Sequence, residues 1–78
     1  MFPKLMLRRA YHIVSMNEER DFNKLLSRFE EKSEESPSNI QLKACIFIVK
    51  IFLKIGYTQE TLYKVWESIE DGSIYDYQ

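Results

Sequence analysis

The sequence predicts an all-α fold: a small bundle of four helices built as two antiparallel hairpins, or of three helices if the first two fuse. Three observations carry this. Apolar residues recur at i, i+3, i+4, i+7 in two separate stretches, Phe22/Leu25/Leu26/Phe29 and Leu62/Val65/Trp66/Ile69, which is the spacing of one face of a helix. Ser, Thr and Asn residues stand just ahead of the apolar stretches, where helix N-caps belong. Two glycines and two prolines in 78 residues are too few for the many turns of a β protein. A chain this short forms one domain, spanning 1–78, and buries only about 60% of its unfolded surface, so its core is thin.

The first helix is predicted over about 3–14. Proline suits a first helical position, because its missing N–H has no partner there anyway. Leu7, Tyr11 and Val14 then fall at i, i+4, i+7, flanked by Ala10 and Ile13. Ser15-Met16-Asn17-Glu18 matches a capping box, in which the serine hydroxyl and the glutamate satisfy each other's backbone N–H groups. A second helix is therefore predicted over about 17–32. No Gly or Pro lies between Lys4 and Ser36, so one long helix is the alternative. The break is preferred because Ser15–Asp21 holds a single apolar residue. Glu30, Glu31, Glu34 and Glu35 crowd the far end, and acids oppose the dipole at a helix C-terminus. Fraying beyond Lys32 is expected.

Residues 33–38, Ser-Glu-Glu-Ser-Pro-Ser, read as a loop. Ser38-Asn39-Ile40-Gln41 is a second capping-box pattern, opening the most apolar segment at about 39–55. Ile46, Ile48, Val49 and Ile51 are β-branched and suit a strand. About 17 residues is too long for one, and a helix accounts better for the polar positions. Lys43, Lys50 and Lys54 fall within about 20° of one direction on a helix. A central helix results, apolar on most sides, with a wet lysine stripe that contains Phe47. Gly56 is the expected left-handed C-cap, Thr58 the N-cap of a fourth helix over about 59–70, and Gly72 a second C-cap. Residues 73–78, Ser-Ile-Tyr-Asp-Tyr-Gln, form a short tail, read as a free end or a docking peptide.

Eleven Lys+Arg against 12 Asp+Glu give a net charge of −1, whereas a domain that binds nucleic acid is clearly basic. The charge comes in blocks of +3, −3, +3 and −4 over residues 1–17, 18–36, 37–57 and 58–78. Neighbouring segments therefore attract. One cysteine excludes a disulfide scaffold and a Cys-based zinc site. The lone Cys45 suits a reducing compartment, and a cytoplasmic location is expected. Arg8, Arg9 and His12 interrupt any signal-peptide core. Ala44–Val49 is six uncharged residues, far short of the roughly 20 a membrane span needs.

No constellation for chemistry emerges. His12 is the one histidine and reads as a half-buried helix residue. The pairs Glu30/Glu34 and Glu31/Glu35 read as solvated, since helical metal sites add inward-facing histidines. There is no glycine-rich phosphate loop. Cofactors, metals and catalytic residues are expected to be none, and the chain is expected not to be an enzyme. The segment Ile55–Glu60 resembles the turn of helix-turn-helix repressors. That motif continues into a polar recognition helix, and here the fourth helix ends in Asp71-Gly72-Ser73 and an acidic tail.

Eleven aromatic residues, 14% of the chain, exceed what a thin core absorbs. Phe22, Phe29, Phe52 and Trp66 are assigned to the core. Surplus aromatics and lysines mark the candidate partner-binding residues: Lys43, Phe47, Lys50, Lys54, Tyr63, Tyr75 and Tyr77. Phe47 is either an apolar anchor ringed by charge or covered by the first helix or a second copy. The function expected from these residues is protein–protein interaction with a larger protein partner, as an inhibitor, an immunity or anti-defence protein, or a regulatory adaptor. A self-associating helical module, a homodimer, is the first alternative. Weak nucleic-acid binding through Lys4, Arg8 and Arg9 is the second.

Overall fold

A computed structural model describes residues 2–77. Four helices run in order: α1 (Lys4–Ser15), α2 (Phe22–Glu35), α3 (Ile40–Ile55) and α4 (Gln59–Asp71), followed by a 3-10 turn over Ser73–Tyr77. No strand occurs among the described residues. The all-α helical bundle is as the sequence predicts. Its Cα radius of gyration, 11.6 Å, matches the roughly 11.5 Å of a packed chain this long.

Helices α1 and α2 are separate, but the break lies further on than the capping box at Ser15 implies. The Ser15 hydroxyl donates back to the His12 carbonyl (3.1 Å) and caps nothing. Residues 16–21 form a connection held by side chains: Asn17 Oδ1 accepts from the Glu19 N–H (2.9 Å) and Arg20 Nη1 donates to the Asn17 carbonyl (2.7 Å). Asp21 is the true N-cap, its carboxylate accepting from the N–H groups of Asn23 and Lys24. An acidic cap also suits the positive end of the helix dipole. Helix α2 continues to Glu35 rather than fraying after Lys32.

The cap of α3 is Asn39, one residue beyond the predicted Ser38; its Oδ1 accepts from the Leu42 N–H at 3.2 Å. Gln41 reaches instead across to α1, its amide donating to the Met6 carbonyl at 3.2 Å. At the other end Gly56 has φ 93° and ψ 159°. That is a positive-φ conformation only glycine adopts easily, and not the left-handed helical cap expected. Thr58 caps α4 as predicted, in a reciprocal box with Thr61. Gly72 is the left-handed C-cap, with φ 86° and ψ −5°.

Helix α3 stands in the middle, as expected, and packs against both α1 and α2, while α4 packs on α1. The hairpin is α2–α3, joined across residues 36–39; α1 packs on both α3 and α4, which are distant from it in the chain. This arrangement sets the basic α1 beside the acidic α4 and the acidic α2 beside the basic α3. Ala44, Cys45, Ile48, Val49, Ile51 and Phe52 of α3 are buried against Leu7, Ala10 and Val14 of α1, Phe22, Leu25 and Phe29 of α2, and Val65 and Ile69 of α4. Each large side chain of this set contributes about 1.5–3 kcal/mol on leaving water.

Two assignments to and from the core are corrected. Trp66 is 36% exposed and lies against Tyr11, ring centroids 5.3 Å apart. It stands about 100° around the helix from Val65, so it faces the rim of α1 rather than the interior. The tail is part of the core: Ile74 is fully buried, and the Tyr75 hydroxyl donates to the Phe2 carbonyl at 2.8 Å. Over the described turn it is packed in place rather than a free end, and Gln78 lies outside the described residues. His12 is exposed rather than half-buried.

Candidate functional site

The outer side of α3 carries the lysine stripe. Lys43, Lys50 and Lys54 are all exposed. None of them has a carboxylate within ion-pair distance among the described residues, whereas Lys4, Arg8, Arg28 and Lys64 each do. Phe47, between Lys43 and Lys50, is half-buried and packs on the core. Its ring lies 5.6 Å from that of Phe2, so the segment leading into α1 covers one side of it and the other side remains open.

That open side forms the wall of a shallow groove of about 140 Å³, lined by Phe47, Lys50, Ile51, Lys54 and Tyr77. Four of the seven residues singled out in the sequence meet here: Phe47, Lys50, Lys54 and Tyr77. Lys43 lies on the same stripe, one turn before Phe47. The fold of the C-terminus makes this possible. Burial of Ile74 and the Tyr75–Phe2 hydrogen bond set the 3-10 turn down so that Tyr77, 44% exposed, closes the groove.

Tyr75 and Tyr63 do not line it. Tyr75 is half-buried, and its hydroxyl is committed to the Phe2 carbonyl. Tyr63 is exposed on α4, where the neighbouring Glu67 carboxylate raises its phenol pKa.

A second groove was not visible in the sequence reading. It has about 220 Å³ and is lined by Pro3, Leu5, Met6, Arg9 and Gln41. Leu5 beside it is 66% exposed. The signal was present: Leu5, Arg9, Ile13 and Met16 lie within about 80° of one another on the side of α1 away from Leu7 and Val14.

Elsewhere the chemistry is quiet. Cys45 is buried, and loss of hydration pushes its thiol up to about 11. No group of three or more His, Cys, Asp or Glu side chains converges among the described residues. Among the described residues no helix is long and apolar enough to cross a membrane. No protein-family model, curated protein or solved structure matches the chain.

Proposed function

We propose that this chain is a small non-enzymatic protein that acts by protein–protein interaction, occupying a surface on a larger partner as an inhibitor, an immunity or anti-defence protein, or a regulatory adaptor. The supporting observation is the groove on α3, where Phe47 and Tyr77 expose aromatic surface beside Lys50 and Lys54. An apolar centre rimmed by charge is the composition of an interface. The expected setting is a reducing cytoplasm, where a lone buried Cys45 needs no disulfide partner.

A second reading, self-association, is favoured by the exposed Leu5 beside the groove of α1. Nucleic-acid binding has less support, because Lys4 and Arg8 are held by Glu70 and the chain is net acidic.

The test is capture from the source lysate, after nuclease treatment, on tagged wild-type chain and on the Lys50→Glu/Lys54→Glu variant. A stoichiometric partner kept by wild type and lost by the variant supports the reading. A partner kept equally by both moves the interface off α3. Recovery of the chain alone, with the mass of a dimer, favours self-association.

A further inference from the structure

We infer that the α3 groove takes an acidic segment of a different protein, carrying one large apolar side chain as its anchor; this rests on the interaction reading above. Three features of the face specify that occupant. The first is charge. Lys43, Lys50 and Lys54 project along one line, and at 1.5 Å per residue they are spread over about 16 Å. No acid lies between Asn39 and Tyr57 in the sequence. Asp76, beside Tyr77, makes no ion pair with any of them among the described residues. Among the described residues the stripe is therefore a row of positive charge without an ion pair, and its complement is a run of carboxylates of similar length.

The second feature is the apolar floor. Phe47, Ile51 and Tyr77 form the apolar part of this shallow groove of about 140 Å³, a size that suits one large side chain laid against it. Exposed ion pairs alone bind weakly, so the anchor supplies the affinity while the lysines set orientation and rate of encounter.

The third feature decides against a second copy. The chain's own acidic run, Glu30–Ser36, contains no apolar residue and offers nothing to fill the groove. The acidic and aromatic turn at Ser73–Tyr77 is already packed in place. Helix α4 exposes Tyr63 and Trp66, but its Glu60 is paired with Lys64 and its Glu70 with Lys4 and Arg8; Glu67 and Asp71 remain, about 6 Å apart along the helix and too short a run for the stripe. Nucleic acid is disfavoured as well. Three lysines neutralise few phosphates, and the helices α2 and α4 carry more acid than base.

The experiment is selection of random displayed peptides of roughly 12 residues, long enough to follow the stripe as helix or strand, on the immobilised full chain. Enriched peptides are then synthesised and titrated by fluorescence anisotropy. The expected result is enrichment of acidic sequences holding one Leu, Ile, Phe or Trp. Their affinity should fall about tenfold or more with Lys50→Glu/Lys54→Glu. It should also fall on replacing the anchor by Gly, with Tyr77→Ala, and with added salt. Circular dichroism confirms that the variants remain helical.

No enrichment, enrichment of neutral or basic peptides, or indifference to the lysine reversals overturns the inference. So does tighter binding of a single-stranded oligonucleotide of equal charge. If the peptides fail while a lysate partner is still lost by the same variant, the interaction reading survives without an acidic segment. If both fail, both are wrong.

Discussion

Arg8 of α1 grips Glu70 of α4 with two parallel hydrogen bonds, Nε donating to Oε1 at 3.1 Å and Nη2 to Oε2 at 2.9 Å. The two residues are 62 apart in sequence. Lys4 Nζ stands 3.7 Å from the same carboxylate. The flat guanidinium fork matches a carboxylate in a way a lysine does not. The pair fastens the first helix to the last and gives the charge blocks of the sequence a three-dimensional meaning.

It follows that the fold is acid-sensitive at this joint. The hydrogen bonds from Arg8 hold the Glu70 carboxyl below its usual range. A carboxyl depressed in the folded state stabilises the fold above its unfolded pKa, and that stabilisation is lost as pH falls through the folded value. Melting curves from neutral pH downward should show wild type above Glu70→Gln. The gap should close as pH drops below about 4. Asp71, also depressed by the Ser73 N–H, adds a part that Glu70→Gln leaves in place. A gap independent of pH would mean the pair carries no linkage.

The C-terminal turn should behave as core. Ile74→Ala is expected to cost about 2–5 kcal/mol in urea unfolding, the range for truncating a fully buried isoleucine. Tyr75→Phe should cost less, about 1 kcal/mol, by removing the hydrogen bond to Phe2. An unchanged midpoint for Ile74→Ala would show that the turn does not pack in solution.

Trp66 and Phe52 should separate sharply. Phe52 is buried, with rings of Phe22 and Tyr57 at 5.9 and 5.1 Å, so Phe52→Ala is expected to cost about 3–5 kcal/mol. Trp66→Ala removes a rim contact with Tyr11, a pair worth about 0.5–1.5 kcal/mol beyond its buried area, and should fall well below Phe52→Ala. Acrylamide should quench Trp66 fluorescence in the folded protein. Equal losses for the two variants would return Trp66 to the core.

Cys45 should be inert until the chain unfolds. Its thiol is buried and raised to about 11, and the thiolate is the reactive form. Alkylation by iodoacetamide at pH 8 is expected to be slow in buffer and fast in denaturant. Fast labelling of the folded protein would contradict the burial.

Local signals in the chain were enough for the helices themselves. Thr58 and Gly72 announce the two ends of α4, and the apolar spacing of Phe22, Leu25 and Phe29 is read directly from the sequence. The start of α2 was missed because two caps competed. Ser15-x-x-Glu18 has the better pattern, yet Asn17 and Asp21 turn the backbone with their own side chains, and the helix begins after them. Of the candidate face, the lysine stripe and Phe47 were legible because helical geometry alone aligns them.

Tyr77 joined them only through folding, because its position depends on the burial of Ile74 in the core and on the Tyr75–Phe2 hydrogen bond. The same reason governs Trp66. Periodicity says that a residue lies near an apolar face, and the neighbouring helix decides which edge of that face is covered. By itself the sequence determined four helices, the two caps of α4 and a central apolar α3, since these depend on residues a few positions apart. Tertiary packing decided that α4 lies on α1, that Arg8 meets Glu70, and that the last turn closes a groove over α3. Those outcomes depend on contacts between residues up to 73 positions apart, which no local pattern encodes.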